Sequence, residues 1–159
     1  MQSREQLVAH FEQVLHEHIQ CVNQRNRSLV EQTGLTVPQA KVIEALIGFP
    51  EGCSMNTLSH RVGQSCASLT GLVDRLVKVG LVSRVPDIHD RRVVLVSLTA
   101  EGRVCVNELE RLRKSSFVND LQDFTAEELL QFASLLQKFS QRIQQGITVE
   151  SAGKQGTAV

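Results

Sequence analysis

Apolar residues recur along this chain with two periods. From Arg4 to about Gln32 no Gly or Pro occurs, and Leu7, Phe11, Val14, Leu15 and Val22 keep a three-four spacing that Leu29 and Val30 resume. That spacing predicts one long amphipathic helix, with His18 on the same stripe. Such a helix cannot cover its own apolar stripe. It needs the rest of the chain or a second copy of it.

The segment "TGLTVPQAKVIEALIGF" predicts a second helix. Gly34 breaks the first one, Thr36 is a good N-cap, and Gln39 stands three residues on, as a capping box requires. Pro38 falls in the first turn, where its missing N–H costs nothing. Val42, Ile43, Leu46 and Ile47 form the expected buried face, and "GFPEGC" ends it. "SMNTLSHRV" reads as a short helix with Met55, Leu58 and Val62 inward, closed by Gly63. "QSCASLTGLVDRLVKVG" reads as a longer helix ended by Gly80. Leu69, Leu72, Val73 and Leu76 share one side of it. Ala67, Gly71, Asp74 and Lys78 share the other, flanked by Ser68, Thr70 and Arg75.

The period then changes to two. "LVSRV" at 81–85 and "RVVLVSL" at 92–98 read as strands joined by the turn-forming "PDIHDR", a hairpin. Thr99 caps a further helix carried by Val104, Val106, Leu109 and Leu112. A last helix starts at Thr125, with Glu128 completing its capping box, and its stripe runs through Leu129, Phe132, Leu136 and Phe139 to about Ile143. The tail from 148 to 159 is small and polar and is expected to lack regular structure. The expected fold is therefore mainly α with a small β-hairpin wing, and its middle is a winged helix-turn-helix.

Size and charge fit that picture. A chain of 159 residues suits one domain plus an arm. Its 17 basic and 17 acidic residues cancel, but unevenly: between Arg61 and Arg103 seven basic residues face four acidic ones. The middle is thus locally cationic, which favours an anionic partner there. No run of apolar residues is long enough to span a bilayer and the N-terminus lacks a signal-peptide core, so a cytoplasmic protein with no membrane partner is expected. Cys21, Cys53, Cys66 and Cys105 are scattered without a C-x-x-C, which makes free thiols the default.

A helix entering a major groove about 12 Å wide must present small residues on its leading face. Ser65, Ala67, Ser68, Thr70 and Gly71 meet that need, and their hydroxyls and methyls suit base edges. Arg75, Lys78 and Arg84 are placed for phosphate. At the hairpin tip Arg91 and Arg92 could enter a minor groove, with Asp90 bracing an arginine or the turn. Taken alone, "DIHDRR" is simply a solvated charged turn; its place after a helix-turn-helix favours the functional reading.

The blocks "LTVPQAKVIEAL" and "CASLTGLVDRLVKVGLVSRVPDIHDRRVVLVSLTAEG" closely resemble the MarR family of bacterial transcription regulators. Asp90, Arg92 and Val96 match the family's wing signature Asp-x-Arg-x-x-x-Val/Thr. The resemblance covers about 35–102, and the flanking helices agree in pattern. It implies a homodimer in which 1–34 and 99–147 are dimerisation arms around a DNA-binding domain at 35–98, with the recognition helix at about 65–79 and the wing at about 81–98. It implies a repressor of a near-palindromic operator on double-stranded DNA, with half-sites about 10–10.5 bp apart. It also implies release by a small aromatic or phenolic effector. Gly71 is smaller than the polar or basic residue many relatives carry there, which puts base readout at that position in doubt.

Other chemistry is poorly supported. Cys21 lies three residues after His18, and a neighbouring imidazolium activates a thiol. The family's peroxide-sensing branch surrounds such a cysteine with tyrosines, and this chain has none. Cys21 and Cys66 stand as the candidate redox thiols, Cys66 being the one whose modification would most disturb DNA binding. Cys53 and Cys66 flank the short helix and could approach each other. His10, His16 and His18 do not share one helix face, so neither a metal nor any cofactor is expected. The phenylalanines read as core. There is no Ser/His/Asp arrangement, no G-x-x-x-x-G-K and no H-E-x-x-H, which argues against an enzyme. A winged helix used only for protein contact is the remaining alternative.

Overall fold

A computed structural model of the chain describes residues 3–88 and 93–155. The element order is α1 (Arg4–Gln32), α2 (Val37–Leu46), β1 (Cys53–Ser54), α3 (Met55–Val62), α4 (Cys66–Lys78), β2 (Val82–Pro86), β3 (Val94–Leu98), α5 (Ala100–Asp120) and α6 (Ala126–Gln155). The chain divides into one compact unit ending at Ser115 and a second beginning at Ser116.

The first unit holds the core. Val42, Ile43 and Leu46 of α2, Leu58 of α3, and Leu69, Val73 and Leu76 of α4 are fully buried with Val82, Val96, Val106 and Leu109. Val30 brings the end of α1 into this cluster. Ile47, expected on the buried face of α2, is exposed because it is the C-cap, where the chain is already leaving the helix. Thr36 and Gln39 do form the reciprocal capping box, and Ser3 with Gln6 forms another at α1.

The three strands form an antiparallel sheet in the order β1-β3-β2. The β2–β3 hairpin pairs Arg84 with Val96 and Pro86 with Val94. The short β1 adds Cys53 opposite Val96 on the other edge of β3. Gly52 enters β1 with φ +90, and a Cβ there would lie 2.9 Å from the Val96 carbonyl. Only glycine fits that approach.

Thr99, between β3 and α5, ties the start of α5 to the end of α4. Its hydroxyl donates to the Gly80 carbonyl at 2.7 Å and accepts from the Gly102 N–H at 2.9 Å, capping α5 against the end of α4. Gly102 presses on the chain leaving α4, and a Cβ there would come within 2.0 Å of the Leu81 carbonyl oxygen. Further along α5, Arg113 binds the Asn26 Oδ1 of α1 at 2.8 and 3.0 Å and is ion-paired with Glu44 of α2.

The second unit comprises the end of α5 and α6. Thr125 and Glu128 cap α6 as expected. An irregular tail is expected over 148–159; α6 continues through 148–155 to Gln155, and 156–159 lie outside the described residues. The stretch carries Glu150, Ala152, Lys154 and Gln155, all good helix formers, and no proline. Leu130, Phe132, Leu135, Leu136 and Ile143 are exposed on this unit. Of the phenylalanines expected in the core, only Phe49 packs against it.

Candidate nucleic-acid interface

The helix-turn-helix is built on two caps and one left-handed glycine. Ser54 caps α3 by accepting from Thr57 N–H, and Ser65 caps α4 by accepting from Ser68 N–H. Between them Gly63 has φ 71 and ψ 35, which reverses the chain without a Cβ penalty. Beneath the turn lies Ser59, the sole polar residue in the core among the described residues. Its hydroxyl donates to Asn56 O at 2.8 Å and accepts from the Cys66 thiol at 3.3 Å, so the buried oxygen is satisfied.

One side of α4, formed by Leu69, Leu72, Val73 and Leu76, is buried. Ser65, Ala67, Ser68, Thr70, Gly71, Arg75 and Lys78 are all exposed. No described residue outside the helix backbone lies within 4 Å of the position a Gly71 Cβ would occupy, so the surface is open there.

The hydroxyls are less free than the sequence implies. Ser65 Oγ donates to Ser68 Oγ at 3.2 Å while capping the helix, and Thr70 Oγ1 donates to Cys66 O at 2.8 Å. Thr70 therefore offers its oxygen only as an acceptor. Ser68 alone of the three keeps a proton to donate.

The cations divide likewise. Arg75 and Lys78 form no ion pair among the described residues. Arg84, expected to approach phosphate, instead places Nη2 2.6 Å from Oδ1 of Asp74 on α4. Sequence reasoning put Asp74 on the outer face of the helix but did not find this partner. The signal was available: one acid stood among small and cationic residues, with a strand cation soon after.

The wing turn is closed by Asp87 N–H donating to Val93 O at 2.9 Å, and Ile88 on it is exposed. The expected wing-tip groups Asp90, Arg91 and Arg92 lie outside the described residues, as does His89.

All four cysteines are free. Cys53 is buried, and burial pushes its thiol above the ordinary range. Burial does the same to Cys105, against a smaller opposing hydrogen bond from Thr33. Cys21 is exposed on α1 and takes no part in the α3–α4 turn. No group of three or more His, Cys, Asp or Glu side chains among the described residues could hold a metal ion.

Two concavities open on the first unit. One, of about 610 Å³, lies between the end of α1 and the start of α2, with Asn23, Asn26, Arg27, Thr36 and Lys41 among its walls. The other, of about 420 Å³, is mostly apolar and is lined by Thr33, Ala100, Glu101, Val104, Cys105 and Glu108. No helix among the described residues is long and apolar enough to cross a membrane.

Comparison with known proteins agrees with this geometry. The sequence model of the MarR family matches residues 33–93, which contain α2, β1, α3, α4 and β2. The chain is 31% identical over 131 residues to the uncharacterized HTH-type transcriptional regulator YsmB of Bacillus subtilis, covering 82% of this chain and 89% of that one. It is 31% identical over 113 residues to the homoprotocatechuate degradative operon repressor of Escherichia coli, covering 71% and 76%. The crystal structure of YusO from Bacillus subtilis superimposes with a TM-score of 0.79 at 28% identity, over 88% of this chain and 99% of that one. The chain belongs to the MarR family of transcriptional regulators, which are DNA-binding proteins and not enzymes, and α3, α4 and the β2–β3 hairpin are its winged helix-turn-helix.

Proposed function

We propose that the chain is a homodimeric MarR-type repressor that binds a near-palindromic operator and is released by a small aromatic or phenolic effector. The exposed outer face of α4 carries this reading. Ser65, Ala67, Ser68, Thr70 and Gly71 present a slender surface to the major groove, and Arg75 and Lys78, without ion-pair partners among the described residues, flank it as cations facing phosphate. Arg91 and Arg92, braced by Asp90, serve the wing in this reading.

Dimerisation rests on uncovered apolar surface. Leu7, Val8, Val14 and Val22 of α1 are exposed, as are Leu130, Phe132, Leu135, Leu136 and Ile143 of α6. Monomeric soluble proteins rarely leave so many large apolar side chains in water. A second copy covers both sets by two-fold symmetry, which also yields two recognition helices. A cytoplasmic location follows from the role.

The effector reading has two supports. One relative is named as repressor of an operon degrading homoprotocatechuate. The α1–α2 groove carries Arg27 and Lys41 against the single acid Glu31 among its described lining residues, with Leu35, Val37 and Pro38 as apolar wall, a setting that suits a small aromatic molecule bearing a polar or anionic group.

A mobility-shift titration of a duplex at 50 and 200 mM salt tests the reading. A protein meeting about 6–10 phosphates loses about 10³–10⁵ in affinity between those conditions. A winged helix that only contacts proteins gives no shift at either salt.

A further inference from the structure

The Asp74–Arg84 pair is the feature the proposed role leaves unexplained. A carboxylate on the groove-facing side of α4 repels the phosphates that Arg75 and Lys78 attract. Asp74 lies between Gly71 and Lys78 on that side and is 54% exposed, so burial does not hold it there. Its partner comes from another element. Arg84 sits in the middle of β2, opposite Val96, and its Nη2 reaches Asp74 Oδ1 at 2.6 Å.

We infer that Asp74 is a positioning residue that holds Arg84 at the root of the wing and withholds it from the DNA backbone. The inference rests on the DNA-binding reading above and assigns roles within it. At 2.6 Å the guanidinium and carboxylate form a charge-assisted hydrogen bond. With side chains 38% and 54% exposed, the pair adds little to stability, because solvent screens it. Its value lies in geometry. It fixes the first wing strand against the recognition helix, and it makes the local charge of the two residues zero. Phosphate contact from the helix is then left to Arg75 and Lys78, at the last turn of α4. A repressor that reads sequence gains from this arrangement, since a further free arginine beside the helix strengthens binding to every sequence alike.

The test is the salt dependence of binding to a fluorescein-labelled random-sequence duplex, read by anisotropy. Full-length wild type, R75A, R84A, D74N and the double variant D74N/R84A are compared. Each phosphate neutralised contributes about 0.9 to the slope of log K against log salt. R75A should flatten the slope by about that amount, while R84A, which removes no phosphate contact, should leave the slope unchanged and weaken binding at low salt only by baring the Asp74 carboxylate. D74N should steepen the slope by about 0.9 and tighten binding at low salt, and this gain should vanish in D74N/R84A. If R84A flattens the slope as R75A does, Arg84 is an ordinary phosphate contact and the inference is wrong. The inference is equally wrong if D74N weakens binding at every salt without changing the slope, since the pair is then only structural. It also falls if D74N steepens the slope equally with and without Arg84, since simple charge removal then suffices. A wild-type chain without salt-dependent binding would instead sink the DNA-binding reading itself, together with this inference.

Discussion

The Ser65 hydroxyl caps the recognition helix, accepting from the Ser68 backbone N–H at 3.2 Å while donating to the Ser68 hydroxyl. One short side chain thus both starts the helix and orients the hydroxyl that remains able to donate. Ser65→Ala should destabilise the fold by about 1 kcal/mol, the usual loss for an N-cap, as read by urea denaturation. Ser68→Ala should leave stability within about 0.5 kcal/mol and act on operator discrimination instead. Equal stability losses for the two would contradict this division.

Gly102 should resist replacement although it sits in a helix. Propensity alone favours Ala there by about 0.8–1 kcal/mol. The added Cβ would meet the Leu81 carbonyl oxygen at 2.0 Å, a clash with backbone that cannot swing aside. Gly102→Ala should therefore destabilise by about 1–3 kcal/mol through overpacking. A rise in melting temperature would show that α5 does not press on the chain after α4.

Arg113 joins three helices through Asn26 and Glu44. Its removal strands a Glu44 carboxylate whose side chain is only 27% exposed. Arg113→Ala should cost about 1–3 kcal/mol, the penalty of an unsatisfied, partly buried polar group. Adding Glu44→Gln to that variant should recover part of the loss, and a double-mutant cycle measures the coupling.

The α6 cap carries a pH dependence with a defined sign. The Thr125 backbone N–H, helped by its hydroxyl, holds the Glu128 carboxyl below its ordinary value. A depressed folded value means that the carboxylate's contribution is complete above the unfolded pKa. That contribution is lost as pH falls through the folded value. NMR titration should place Glu128 below a free glutamate, and Thr125→Ala, which removes the hydroxyl but keeps the backbone N–H, should move it only part of the way up.

Much of the fold was legible because its signals are local. Thr36 with Gln39, Gly63, Thr125 with Glu128 and the turn-rich stretch after Val85 each announce an element within a few residues. What escaped depends on distant partners. The strand at Cys53–Ser54 exists only because β3 pairs with it. Arg113 meets Asn26 and Glu44 across 87 and 69 positions. The exposed face of α4 could be drawn from helical periodicity, but its hydroxyl directions could not, because they follow from Ser65 capping and Thr70 bonding back to Cys66. Helical and strand periodicity place Asp74 and Arg84 separately, and neither period reveals that the strand residue reaches the helix carboxylate. The small polar composition after residue 148 favours an irregular tail, whereas α6 runs on to Gln155 with Glu150, Ala152, Lys154 and Gln155 as its helix formers.

The most direct test of a two-fold winged-helix repressor is selection of duplexes from a random library by the full-length chain, followed by sequencing. The account predicts enrichment of two inverted half-sites whose centres lie about 10–10.5 bp apart, one helical turn. Recovery of a lone unpaired half-site, or of no preferred sequence at all, would contradict it.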